Sequence, residues 1–553
     1  MLNYGVKMKK LLLVGAIIVS VLSTESMMNY HAAKAKVKKV EHQPKNIIMM
    51  VMDGTSSTAT TLARWYKGAP LTLDQIVTGG VRTFSAESAI TDSAPAATAL
   101  ATGNKSNSGY VGVLPSIVSS PSLQPIKEEE KLRPVANVLE GAKCTGRATG
   151  IVATSEIQHA TPAGFSAHHV NRKHFDVIAK QQVYQNIDVV LGGGKAALLP
   201  IKSNGIRKDG ENLVKVIQDK GYDFVETKDA LLNSKSNKIW GSFSHHALAF
   251  DMDRIATNPE QPTLSQMTEK AIQTLSKDKD GFFLFVEGSK PDWAAHANDP
   301  IGMISDVLAF DEAVAKALQF AKKDGDTMLI ALTDHGNSGI SIGNRNTTKG
   351  YNTTPVSAYI DPLKKAKMTL EGTINKLKSD LSNVEDVAKL YGLDNLTHDE
   401  KEKLKVAKKK MDVGRILTTL LANRANIGFT TGGHTGEDVF LHSYGPQKPE
   451  GLIQNTDIAK AMGFNLEEVT NKIFLESEQA FKKIGATVTA DKTEGANPLL
   501  VVKHNKVEAQ LFGNKNIIRI NGKGYELRSI IVESNGKCYV PEEAIQLFVK
   551  HSR

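Results

Sequence analysis

Four short segments of the 553-residue chain carry carboxylates and imidazoles at spacings that suit cation binding. Asp53-Gly54 follows the apolar run Asn46 to Met52. Glu287 follows a second run, Phe282 to Val286, and leads into Asp292 and His296, four residues apart. On a helix that spacing sets both side chains on one face, where they can grip one ion. Asp334-His335 follows a third run, Thr327 to Thr333, and His434 stands among Gly432, Gly433 and Gly436. Taken singly these have plainer readings, an Asp-Gly turn or an exposed loop histidine. Together Asp53, Asp292, His296, Asp334, His335 and His434 make a nitrogen and oxygen donor set for two zinc ions. Zinc takes about four ligands and leaves a position open where it is catalytic. Further carboxylate and hydroxyl oxygens suit magnesium. Cys144 and Cys538 are the only cysteines, which excludes a disulfide framework and a cysteine-based zinc ribbon.

A nucleophile stands in Thr91-Asp92-Ser93-Ala94, at the start of an alanine-rich stretch that ends at Gly103. Alanine is the strongest helix former and Pro95 is tolerated in a first turn, so the pattern predicts a helix with Ser93 at its N-terminus. The plain role of such a serine is a cap that contributes about 1 kcal/mol. The same N–H groups and helix dipole favour an anion such as phosphate, which places Ser93 well to take up a phosphoryl group. Asp92 is placed to orient a neighbouring cation or backbone N–H.

These residues need a scaffold that brings strand ends together. Between Asn46 and about Met462, apolar runs at 46–52, 150–153, 187–191, 282–286 and 327–333 alternate with helical stretches. Runs apolar throughout are strands buried on both faces, which predicts an α/β fold with a central, mostly parallel sheet flanked by helices. Ligands of such sheets collect at the carboxyl ends of the strands. The catalytic domain is expected over 36–485. Within it, 363–420 reads as a helical insertion whose charge run, Lys403 to Lys410, forms a solvated face. From about Ala486 the composition turns β-rich, with runs at 499–502, 517–520 and 530–532 and Asn-Gly pairs at 521 and 535. These read as strands and hairpin turns of a small C-terminal domain, 486–553.

The composition, 41% hydrophobic and 23% charged, excludes wholesale disorder and fibrous structure. Lys7, Lys9 and Lys10 precede the apolar run Leu11 to Leu22, and Ala33-Lys34-Ala35 offers a small-residue cleavage site. This reads as a signal peptide over 1–35, since a bilayer span needs roughly 20 apolar residues. The protein is expected to be secreted or extracytoplasmic, with retention at the cell surface left open. Cleavage would reduce the net charge from +9 to +6, too mild to argue for a nucleic-acid partner.

The motifs Asp53-Gly54, Thr91 to Ala94, Ala160-Thr161-Pro162-Ala163 with Arg172, Val286 through His296, Thr333 to His335 and Gly433 to Thr435 occur in the order seen in the secreted bacterial alkaline phosphatases. From about Asn46 to Met462 the chain resembles that family. The resemblance implies hydrolysis of small-molecule phosphate monoesters to alcohol and phosphate, through a phosphoserine at a site of two zinc ions and one magnesium. It assigns the nucleophile to Ser93 and the grip on phosphate to Arg172. One zinc falls to Asp292, His296 and His434, the other to Asp53, Asp334 and His335, and the magnesium to Asp53, Thr161 and Glu287. His159 and Trp293 depart from the best-studied bacterial member, which has an acid and a lysine there. The first exchange bears on magnesium affinity, and the second removes a cation near the phosphate.

A homodimer is a further expectation from the resemblance. Ser93 to Ala97 has alanine where the sulfatase motif requires arginine, which argues against a sulfatase. A phosphodiesterase of the same superfamily and a non-catalytic metal- or phosphate-binding surface protein stay as alternatives. The C-terminal region faintly resembles the stalk-like domain of copper amine oxidases, which suggests a cell-wall or protein contact.

Overall fold

Ile47, Met49 and Val51 face one side of the first strand and Ile48, Met50 and Met52 the other, and all six are buried. Alternation sends successive side chains to opposite faces, so both faces of this strand are covered. The computed structural model describes residues 43–491 and 499–553; the leader-like segment 1–35 lies outside the described residues. No described helix is long and apolar enough to cross a membrane.

The strand is β1 (Asn46–Met52) of a ten-stranded sheet. The others are β2 (Val77–Arg82), β3 (Ala148–Glu156), β4 (Val189–Gly193), β5 (Asp223–Val225), β6 (Ile239–Ser242), β7 (Phe282–Gly288), β8 (Thr327–Leu332), β9 (Val439–Tyr444) and β10 (Gly451–Gln454). Their order is β10-β2-β9-β8-β1-β7-β3-β4-β6-β5. Strands β8, β1, β7, β3, β4, β6 and β5 pair in parallel, and β9 runs antiparallel to both its neighbours. The fold is thus α/β with a mostly parallel central sheet, as the runs of apolar residues predict.

Helices cover both faces. The long α4 (Pro300–Asp324) packs on one side, where Phe310, Val314 and Leu318 meet Met50, Leu284 and Leu329. On the other side Phe165 stacks on Phe285 with ring centroids 4.1 Å apart. That contact fixes the turn carrying Thr161 against the strand that carries Glu287.

The remaining helices that bear on the site are α1 (Ser57–Lys67), α2 (Ser93–Thr102) and α3 (Lys290–His296). The insertion folds as four helices, α5 (Leu370–Asn375), α6 (Val384–Leu390), α7 (His398–Lys405) and α8 (Lys410–Arg424). Its Leu363, Tyr391, Val413 and Leu417 share one core with Leu62 of α1, Ala294 and Ala295 of α3, and Ile301 of α4. The insertion therefore buttresses the helix that carries Asp292 and His296.

The C-terminal region forms a five-stranded antiparallel sheet from strands within 487–491 and 499–526, closed by a final helix, α9 (Glu542–Ser552). Phe481, Val502, Leu511, Ile518 and Phe548 make its own core. Ile530, Val532 and Tyr539 instead bury in the core under the main sheet, and Leu475–Glu476 pairs with Tyr539 and Val540.

Candidate active site

Val51 lies opposite Leu332 on one side and Glu287 on the other, so Asp53, Glu287 and Asp334 emerge at one edge of the central three strands. All three are buried. Burial, then Asp334, Asp292 and Glu287, push the Asp53 carboxyl well above its ordinary range. Burial raises Glu287 to about 7 and lifts Asp334 as well. Asp53 Oδ1, Glu287 Oε1 and Asp334 Oδ2 accept no hydrogen bond among the described residues. Crowded buried acids with idle oxygens are costly unless a cation or protons compensate them.

The histidines carry the same signature. His296 Nδ1 lies 2.8 Å from the Gly432 carbonyl, His434 Nδ1 2.9 Å from that of Thr91, and His335 Nδ1 3.1 Å from that of Gly336. Each ring donates its Nδ1–H to a backbone carbonyl, and in a neutral ring this leaves the Nε2 lone pair facing the site. Burial, then His434, lowers His335 to about 3, so it is neutral. The Nε2 atoms of His296 and His434 are 3.2 Å apart. Two lone pairs at that distance repel unless something electropositive lies between them.

Three donor groups result, each with its atoms within 4.8 Å of one another: Asp292, His335 and His434; Asp53, Asp334 and His335; and Asp53, His159 and Glu287. His296 adjoins the first, 3.5 Å from Asp292 Oδ2, and Thr161 Oγ1 adjoins the third, 3.3 Å from Asp53 Oδ2. The idle oxygens and opposed lone pairs make these donor sets fit metal ions.

Gly54 allows Asp53 to turn into this cluster. Its φ is +61°, and a Cβ there would lie 2.3 Å from Asp292 Oδ1. Glycine adopts that conformation without steric penalty and leaves the space free.

Ser93 is the first residue of α2, with Asp92 as the cap; the Asp92 side chain accepts from Ala94 N–H. The capping role thus falls to the neighbour and the serine is spare. Its Oγ lies 3.1 Å from His335 Nε2. Asp92 Oδ1 also receives Arg172 Nη1 at 2.5 Å, and Arg172 Nη2 lies 3.3 Å from His159 Nε2. Guanidinium only donates, so this nitrogen of His159 accepts and the ring is neutral. Burial, then Arg172, lowers its pKa to about 3. In that tautomer Nδ1 carries the proton and has no partner among the described residues, so Asp53, Glu287 and Thr161 are the members of the third group with free lone pairs. The ring edge of His159 meets Trp293 at 5.7 Å.

The structure adds residues that no sequence pattern marks. Asn337 donates to Asp292 Oδ1 at 2.7 Å, and Ser155 to Glu287 Oε2 at 3.3 Å, so each holds a carboxylate in place. Asn337 lies two positions after His335, which is its only signal in the chain.

Residues 44–468 match the family model described as alkaline phosphatase. The chain belongs to the alkaline phosphatase family. It is similar to alkaline phosphatase 3 of Bacillus subtilis (strain 168), 35% identical over 79% of this chain and 93% of that one. Alkaline phosphatase 4 of the same organism is 37% identical over 77% of this chain and 90% of its own. The crystal structure of Thermus thermophilus alkaline phosphatase superposes with a TM-score of 0.68 at 26% identity, covering 79% of this chain and 94% of that one. The enzyme is accordingly a metal-binding hydrolase of phosphate monoesters.

Proposed function

We propose that the enzyme works through a phosphoserine on Ser93, at a site that binds two zinc ions and one magnesium. The observation that carries this reading is the placement of Ser93, freed from capping by Asp92, with its Oγ 3.1 Å from His335 Nε2 at the edge of the acid cluster. Asp292, His296 and His434 would hold one zinc and Asp53, Asp334 and His335 the other, while Asp53, Thr161 and Glu287 would hold magnesium. Bound there, the ions would supply Lewis acidity, lowering the pKa of hydroxyl and water and stabilising charge on the leaving oxygen.

In the first step Ser93 Oγ gives up its proton and attacks phosphorus, the bond from phosphorus to the ester oxygen breaks, and that oxygen takes up a proton. The alcohol leaves on the far side. In the second step water gives up a proton as it attacks phosphorus, the bond to Ser93 Oγ breaks, that oxygen takes up a proton, and phosphate is released. Arg172 grips two phosphate oxygens, a task that suits its planar fork. Asp92 sets the orientation of that fork before substrate arrives. The first N–H groups of α2 add a fixed positive potential.

His159 in the third donor group supports weaker magnesium binding than an acid there would give. The leader-like start supports export from the cytoplasm. Homodimerisation, and a wall or protein contact through residues 486–553, are read in the same way.

The test is phosphomonoester hydrolysis by the purified chain loaded with zinc and magnesium, beside Ser93→Ala and chelator-treated samples. Activity lost in both controls supports the reading. A Ser93→Ala enzyme of native activity would reject it, and faster hydrolysis of diesters would move the substrate class.

A further inference from the structure

A groove of about 880 Å³ opens beside His296. Its lining includes Trp293 and His296 of α3, Lys410, Met411, Arg415 and Thr419 of α8, and the apolar Phe250, Leu370 and Ile374. Met411, Arg415 and Thr419 recur every four residues, which places them on one helix face. That face is exposed, and Met411 is 60% accessible.

The groove lies at one end of a row. Ser93 Oγ contacts His335, the His335 ring stacks on His434 at 3.7 Å, and His434 Nε2 is 3.2 Å from His296 Nε2. Ser93 stands at one end and His296, with 43% of its side chain accessible, at the other. In an in-line displacement the alcohol departs opposite the nucleophile. On the proposed reading the leaving oxygen lies beside the Asp292, His296 and His434 set, and His296 lines the groove.

The charge of the groove is one-sided. Glu371 lines it but pairs with the buried Lys290 at 3.6 Å, and Asp299 is buried and accepts from the Tyr391 hydroxyl and two backbone N–H groups. Among the described residues neither Lys410 nor Arg415 is in an ion pair; Arg415 contacts the Met411 sulfur at 4.0 Å. Two uncommitted cations thus share the lining with apolar side chains.

Resting on the proposed phosphoserine reading, we infer that this groove binds the alcohol part of the substrate and selects alcohols that carry an apolar ring and a second anionic group. The ring lies over Leu370, Ile374 and Trp293, and the anion meets Lys410 and Arg415. The insertion then contributes specificity as well as support.

The test compares kcat/KM for methyl phosphate, 2-naphthyl phosphate and 6-carboxy-2-naphthyl phosphate in the native enzyme and in the double variant Lys410→Glu with Arg415→Glu, at low ionic strength. Both positions are exposed and lie outside the catalytic set. The ratio of the carboxylated to the plain naphthyl ester should fall about tenfold, with the methyl ester little changed. Thr419→Trp, which narrows the groove, should depress both naphthyl esters relative to methyl phosphate. An unchanged ratio in the double variant, or an equal fall for all three esters, would overturn the inference. Calorimetric binding of the carboxynaphthyl phosphonate separates the two readings. Charge-sensitive binding by a chain that hydrolyses no ester would keep the groove and reject the phosphoserine reading. Hydrolysis with charge-insensitive binding would do the reverse.

Discussion

Asp92 grips Arg172 at 2.5 Å with one carboxylate oxygen and accepts the N–H groups of Ala94 and Gly109 with the other. One side chain therefore caps the helix that begins at Ser93 and aims the cation assigned to phosphate. Burial pushes the Asp92 carboxyl up, but Arg172 and the Gly109 N–H hold it below its ordinary value. Asp92→Ala should cost about 1 kcal/mol of stability through the lost cap. It should also raise KM and the phosphate inhibition constant together, because Arg172 loses its orientation. Steady-state kinetics with phosphate as inhibitor check this; an unchanged inhibition constant would mean that Asp92 only caps.

On the proposed reading, Trp293 gives the phosphate site one cation fewer than a lysine there would supply. The nearest ammonium to its ring, that of Lys290, lies 4.3 Å from the ring centroid and is committed to Glu371. Trp293→Lys should therefore tighten phosphate inhibition, by about fivefold if the new charge is worth ~1 kcal/mol. Equal inhibition constants in the two proteins would reject the idea.

Gly54 and Gly68 separate two effects of glycine. Both have positive φ, yet a Cβ at Gly54 would collide with Asp292 while one at Gly68 meets nothing within 4 Å. Gly68→Ala should lose about 1 kcal/mol with full activity. Gly54→Ala should lose more stability and also activity, since Asp292 must move. Thermal melts and kcat for the pair decide it.

The strand-end acids were legible in the sequence because strands buried on both faces are uniformly apolar and any charge at their ends stands out. The pairing of Asp292 with His296 was legible because helix geometry converts a separation of four into adjacency. The second tier of contacts was not. Asn337 touches Asp292 across 45 residues, and His168 meets Glu140 across 28; neither distance leaves a local pattern. The final helix α9 follows three β-rich runs, and its Ala544 and Phe548 complete a core supplied by the strands. No short window of sequence shows that.

His168 and Glu140 form a buried pair whose charge shapes the response to pH. His168 Nδ1 faces the Gly112 carbonyl at 2.8 Å and Nε2 faces Glu140 at 2.9 Å, so both nitrogens meet acceptors and the ring is held as imidazolium. Burial works against both charges. Glu140 nevertheless raises His168 above 6.5, and His168 lowers Glu140 below 4.5. The histidine's contribution is complete below its unfolded value and lost as pH rises through the folded one. The glutamate's is complete above its unfolded value and lost as pH falls through the folded one. The pair thus helps most between about 4.5 and 6.5. Glu140→Gln should cost about 3–5 kcal/mol in that window. The gap in Tm between native and variant should narrow toward alkaline pH, and a gap independent of pH would contradict the pairing.

The most direct measurement traps the covalent intermediate. The metal-loaded native enzyme and Ser93→Ala are quenched in acid during turnover of a phosphomonoester carrying labelled phosphorus, and the label is located by peptide mapping. Label is expected on the peptide that contains Ser93 in the native enzyme and none in the variant. Turnover with label on another residue, or with no label on the protein at all, would contradict the phosphoserine reading.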